Sequence, residues 1–237
     1  SGGPMFGTAG MYGDGGAERL VGEAIAGRRD EVFLVIKVLP NHATRRGTVS
    51  ACEKSLKRLR TNRLDLYLLH WRGGVPLAET LEALVALQRA GKIRHYGVSN
   101  LDLADMREIS VLAGGDPIAT NQLLYNLTRR GIEFDLLPWL SERRIPVMAY
   151  SPLEQARLVN DSKLSAFARK HGMTPARAAL AWLLARDDVI VIPKSACAER
   201  MRGNHGDLEH PLSVLQLAEL DRLFPPPDQP HPPAMLA

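Results

Sequence analysis

His70 closes the run Leu64-Asp65-Leu66-Tyr67-Leu68-Leu69-His70-Trp71 and is followed at once by the breaker Arg72-Gly73-Gly74. Apolar residues dominate the run, which reads as a strand buried on both faces of a parallel sheet. An imidazole at such a strand end can orient a polar group or pass a proton near neutral pH; it can equally be a satisfied histidine closing a core strand. Lys37 is the one interior charge of Val32–Val38, a strand rich in β-branched residues. A lysine there either snorkels from an edge strand or serves another group. Tyr12 stands in the glycine-rich turn Tyr12-Gly13-Asp14-Gly15-Gly16, where an isolated tyrosine is most often a surface aromatic. With a pKa near 10 a phenol is a poor acid at neutral pH, and a nearby ammonium would lower that value. Lys194, Ser195 and Arg200 offer two cations and a hydroxyl, a set suited to a phosphate dianion or simply to solvent.

The elements that must position these groups alternate. Pro4–Ala9 is a short strand candidate, Glu18–Ala26 a helix, Val32–Val38 a strand and Thr48–Arg60 an amphipathic helix with Val49, Cys52, Leu56 and Leu59 on one face. The Leu64–His70 strand, a helix over Pro76–Ala90 closed by Gly91, a strand His95–Ser99 and a helix Leu103–Ala113 continue the pattern. Strands follow at Ile118–Leu124, Pro146–Tyr150 and Val189–Ile192, with helices at about 135–143, 162–171, from Thr174-Pro175, and 198–204. Ser213-Val214-Leu215-Gln216 is a capping box that opens a final helix. A repeat of about 25–35 residues is one βαβ unit and predicts α/β with a parallel sheet. Seven strands suit a doubly wound sheet or a barrel short of eight, but no glycine-rich phosphate turn opens an early helix.

Bulk properties narrow the class. The 237 residues predict a single domain over 1–224 and an irregular tail over 225–237, which holds six prolines. A net charge of +4 is interleaved with acids, so no nucleic-acid stripe is expected. Cys52 and Cys197 have no metal or redox spacing. No apolar stretch reaches membrane-spanning length and no signal peptide is evident, so a cytoplasmic protein is expected.

Gly7-Thr8-Ala9-Gly10-Met11-Tyr12-Gly13, Lys37 in VFLVIKV, LDLYLLHW, GVSN at 97–100, TNQLLYN at 120–126, AYSPL at 149–153 and IPKS at 192–195 resemble, in this order, the motifs of the aldo-keto reductase family. The resemblance runs from about Gly7 to the final helix. It implies a (β/α)8 barrel that reduces aldehydes or ketones with a nicotinamide cofactor, normally NADPH. Tyr12 would be the proton donor, Lys37 the cation beside it and His70 the group orienting the carbonyl. Ser99, Asn100 and Gln122 would hold the carboxamide, and Tyr150 would stack on the nicotinamide. Ser151 and Leu153 would approach the pyrophosphate through their backbones. Lys194, Ser195 and Arg200 would surround the 2′-phosphate, favouring NADPH over NADH, and Asn204 would meet the adenine.

Four departures from the family pattern carry consequences. Gly7 stands where the family has an aspartate, so Lys37 loses its expected counter-ion and should tend to deprotonate. Ile36 replaces a small or polar residue, and Gly203 replaces an acid beside the adenine. The family's first strand and helix have no counterpart before Ser1, which leaves a barrel seam for a second copy of the chain or the tail to close, or one that stays open in a truncated barrel. These departures set an NADPH-dependent reductase against an NADPH-binding or regulatory protein of the same fold with little turnover, or an inert product.

Overall fold

In a strand that is apolar at nearly every position both faces must be covered, and crossover helices do this for parallel strands. The protein, seen in a computed structural model describing residues 4–195 and 211–235, meets that demand in two compact units, 1–121 and 122–237. The first unit runs β1 (Met5–Gly7), α1 (Gly16–Ala24), β2 (Phe33–Val38), α2 (Arg45–Leu59), β3 (Leu64–Leu69), α3 (Leu77–Arg89), β4 (Ile93–Ser99) and α4 (Leu103–Val111). Its ladders are all parallel and in chain order, with Met5 opposite Phe33, Val35 opposite Leu66 and Leu64 opposite Ile93. Four strands in chain order, with no reversal, are barrel-like and unlike a doubly wound sheet. All six residues of β3 are buried, as its sequence predicts.

After β5 (Asn121–Leu124), whose first residue ends the first unit, the second unit holds α5 (Leu136–Glu142), β6 (Val147–Tyr150), α6 (Ser162–Lys170), α7 (Pro175–Leu184), β7 (Val189–Ile192) and α8 (Val214–Leu223). Strands β6 and β7 pair in parallel, Val147 opposite Val189. Among the described residues there are thus seven strands alternating with helices, the (β/α)8-type architecture. Helix α8 begins with the expected box: Ser213 accepts from the Gln216 amide and the Gln216 side chain accepts from the Ser213 amide. Thr174 caps α7 by accepting from the Arg177 amide, with Pro175 in the first turn.

Two expected strands are shorter than their patterns. Strand β1 has three residues, although Pro4 O accepts from Phe33 and Thr8 N donates to Val35 O, extending the bonding at both ends. Strand β5 starts three residues late, yet Ala119 N and Thr120 O already bond to Tyr96 and Val98. Both differences concern where ladder bonding becomes regular, not which residues pair. Beyond Phe224, residues 225–235 form no helix or strand. Arg130 donates to the Phe224 carbonyl, and His231, Pro232 and Ala234 line a cavity of about 360 Å³ with Leu124, Thr128 and Ile132. The helix expected over 198–204 lies outside the described residues.

The one acid inside β3 explains how the strand starts are tied. Asp65 is 1% exposed; one oxygen accepts from Arg29 (2.7 Å) and the Leu34 amide (2.9 Å), the other from Arg94 (2.9 Å). Arg29 also donates to the carbonyls of Val32 and Arg63. A single carboxylate thus joins the beginnings of β2, β3 and β4. Asp65→Ala leaves a half-buried guanidinium and a buried amide without their acceptor. We expect it to cost roughly 3–5 kcal/mol in urea denaturation, and a loss under about 1 kcal/mol would contradict this account.

Candidate active site

Strand alternation and register decide which side chains can meet. Lys37 pairs with Leu68, so it shares a face with Leu68 and, two residues on, His70. Gly7 pairs with Val35 and therefore belongs to the face that carries Lys37. The His70 amide donates to Val38 O at 2.9 Å, carrying the ladder to the strand end. The turn after β1 then brings in Tyr12: its ring stands edge-on to His70, 6.1 Å between centroids at 87°. Lys37 Nζ lies 5.3 Å from the Tyr12 ring centroid, an attractive cation–π distance. The first unit therefore brings Tyr12, Lys37 and His70 together at the ends of three adjacent strands.

The electrostatics follow from burial. Lys37 is 8% exposed and does not snorkel to solvent; burial alone drives its pKa from the ordinary 10.5 to about 8. No carboxylate among the described residues offsets that cost. Burial also lowers His70 to about 4, and the Lys37 charge pushes the same way, so the ring is neutral at neutral pH. His70 Nδ1 is buried with no hydrogen-bond partner. Tyr12 is pushed above its ordinary value by burial. This corrects the expectation that the ammonium, which stands over the Tyr12 ring, would lower the phenol: burial outweighs it. The space beside Gly7 is open, since a Cβ there would meet nothing within 4 Å.

Ser99 and Asn100 close the next strand. Ser99 is buried, and Asn100 has φ 59°, a left-handed conformation that asparagine tolerates. The Asn100 amide donates to His70 O and to Ser99 Oγ, both at 3.1 Å, which fixes the backbone under the imidazole. Trp71 packs on the imidazole, 4.7 Å between centroids.

In the second unit Gln122 is buried on β5 with its amide 3.9 Å from Met148 Sδ, and half-buried Tyr150 ends β6. The loop after β6 is strained: Ser151, Glu154, Gln155 and Ala156 all have positive φ, 48°, 47°, 53° and 71°. Such conformations in non-glycine residues need support from outside the loop. Asn126 gives it, donating to Ser151 O (2.9 Å) and to Glu154 (2.7 Å), while Arg129 donates to Glu154 at 2.7 and 2.9 Å. Burial would raise the Glu154 carboxyl, but these hydrogen bonds and the Arg129 charge outweigh it and hold it below its ordinary range. Sequence reasoning gave no role to Asn126, Arg129 and Glu154; Asn126 ends one quoted motif and Glu154 follows another, but nothing local signals left-handed backbone at non-glycines. Leu153 lies within this loop, and exposed Lys194 with half-buried Ser195 follows β7. Arg200 and Asn204 lie outside the described residues.

This constellation on a (β/α)8-type chain defines a class. The model of the aldo/keto reductase family matches residues 1–224, and the chain belongs to that family. Among its relatives, methylglyoxal reductase YeaE of Escherichia coli is 48% identical over 228 residues, covering 94% of this chain and 80% of the relative. Glyoxal reductase of Bacillus subtilis is 34% identical over 209 residues, covering 85% and 74%. A crystal structure of an aldo/keto reductase from Klebsiella pneumoniae in complex with NADP and acetate is 49% identical, with TM-score 0.95, covering 98% of this chain and 84% of that one.

The buried ammonium makes a linkage prediction with a definite sign. Lys37 binds its proton less tightly folded, about 8, than at its ordinary 10.5, so between those values the unfolded chain holds more protons and stability rises with pH. Below about 8 the full penalty applies. Lys37→Met should therefore stabilise the fold at pH 7, by up to roughly 3 kcal/mol, and the gain should fade as pH approaches 10.5. A gain in thermal denaturation that does not depend on pH would refute the linkage.

Proposed function

We propose that this chain reduces small aldehydes and dicarbonyls with NADPH, with Tyr12 as proton donor to the carbonyl oxygen. The observation that carries the reading is the convergence of Tyr12, Lys37 and His70, within 5.3 and 6.1 Å of one another's rings, at successive strand ends. The named activities of the methylglyoxal and glyoxal reductases support the substrate class, and the NADP complex of the Klebsiella enzyme supports the cofactor.

The chain's own groups suit each step. A neutral imidazole can offer a ring N–H to the carbonyl oxygen, and His70 is kept neutral by burial. That contact orients the carbonyl and stabilises the charge that grows on its oxygen. Tyr12 keeps its proton at neutral pH and gives it to the same oxygen; the phenolate left behind is met by the Lys37 charge until solvent returns the proton. NADPH supplies the hydride that enters the carbonyl carbon. By the family resemblance Ser99, Asn100 and Gln122 would hold its carboxamide, and Tyr150 would stack on its ring. The backbone amides of the strained loop at Ser151 and Leu153 suit its pyrophosphate, Lys194 and Ser195 with Arg200 its 2′-phosphate, and Asn204 its adenine. The strain at Ser151 is the feature of this structure that a dinucleotide would explain.

Fluorescence titration with NADPH and NADH, followed by turnover with methylglyoxal, tests this directly. Tighter binding of NADPH and a loss of roughly 10²–10⁴ in kcat for Tyr12→Phe, with NADPH binding kept, are expected. Unchanged turnover in Tyr12→Phe would remove the proposed donor.

One observation favours a second reading, an NADPH-binding protein with little turnover: Lys37 is buried without a carboxylate among the described residues. The position to restore it is open, since Gly7 lies on the Lys37 face and its Cβ would meet nothing. Gly7→Asp should raise kcat and move the alkaline fall of the rate, expected near pH 8 in the parent protein, to higher pH. If the profile stays where it was, the missing carboxylate does not limit the reaction.

A further inference from the structure

Four of the seven residues in the turn that carries Tyr12, Gly10-Met11-Tyr12-Gly13-Asp14-Gly15-Gly16, are glycines. Its own bonds are short-range: Tyr12 N donates to Ala9 O, Gly16 N to Gly13 O and Ala17 N to Tyr12 O. Such a turn does not fix its height above the sheet by itself. The side chain that does so comes from the far end of α2. Arg58 reaches back across the first unit and lies against the turn. A Cβ on Gly10 would sit 3.2 Å from its guanidinium, and one on Gly15 only 2.6 Å from its Cδ and 2.8 Å from its Nε. Gly15 also has φ +77°, so both its shape and its packing exclude a side chain.

Arg58 is held in turn. Its Nε donates to Glu18, which is fully buried on α1, and its other arm reaches Ser55 Oγ at 3.4 Å. Helices α1 and α2 meet close enough to allow this because Gly22 touches the Leu59 backbone, where a Cβ would lie 2.8 Å from Leu59 O. The second Glu18 oxygen is buried with no hydrogen-bond partner among the described residues. A carboxylate left half-satisfied in this way is costly.

We propose that Arg58, clamped by Glu18, is a positioning residue for the reaction: its guanidinium supports the Gly10–Gly15 turn and sets the place of Tyr12 beside His70 and Lys37. The inference rests on Tyr12 as proton donor. Arg58 touches neither carbonyl nor cofactor in this role and acts only through Tyr12.

The test is a cycle between Arg58→Met and Tyr12→Phe, with NADPH affinity, KM and kcat read separately for methylglyoxal. Displacing a reacting group by about 1 Å costs on the order of 100-fold. Arg58→Met should therefore lower kcat by roughly 10- to 100-fold and leave NADPH affinity within about two-fold. Arg58→Lys should recover part of the loss. In the Tyr12→Phe background Arg58→Met should cost nothing further, because the group it positions is gone. A rate unchanged by Arg58→Met, or a loss that multiplies onto Tyr12→Phe, overturns the proposal, the second by showing a general structural defect. Full activity in Tyr12→Phe would instead remove the proton donor itself, so the two failures are distinct. Should Arg58→Met fold poorly, Glu18→Leu with Arg58→Met removes both charges together, and the same kinetic signature is expected.

Discussion

A buried ammonium with no carboxylate beside it is the constraint on which the site turns. Lys37 stands in a strand whose neighbours are all apolar, and the cost of charging it reaches every group nearby. It helps to keep His70 neutral, it attracts the face of Tyr12, and it leaves its own proton only loosely bound. Remove that charge and the three side chains, two of them buried and Tyr12 41% exposed, lose the field that couples them.

The two ends of the same sheet treat charge in opposite ways. At the strand starts Asp65 is saturated by two guanidiniums and an amide, so its burial is compensated and the ends of three strands are locked. At the strand ends Lys37 and His70 Nδ1 lack such partners. Stability is concentrated where polar groups are satisfied, and reactivity where they are not. Parallel strands make this division natural, because every strand presents the same end to the same side.

Much of this was legible in the chain. The apolar runs of β2 and β3, the capping box of α8, the Thr174-Pro175 start of α7 and the helix stop at Gly91 follow from local patterning that the fold did not override. The strand-end positions of Tyr12, Lys37 and His70 could be read because each breaks an otherwise uniform stretch. The rest needed three dimensions. Arg58 and Glu18 are forty residues apart, and each looks like one more surface charge on an amphipathic helix. Glu154 looks like a loop acid until Asn126 and Arg129 close on it. The rise in the Tyr12 pKa comes from burial of the phenol, which no spacing encodes.

Gly7 and Gly22 are indistinguishable in the sequence, yet they stand at opposite extremes of evolutionary freedom. Any side chain at Gly22 would drive into the Leu59 backbone and part α1 from α2. At Gly7 nothing is in the way, so a lineage could gain or shed a carboxylate beside Lys37 in a single substitution and repack nothing. The electrical setting of the site is therefore among the cheapest properties of this molecule to change by descent, while the scaffold that presents it is among the dearest.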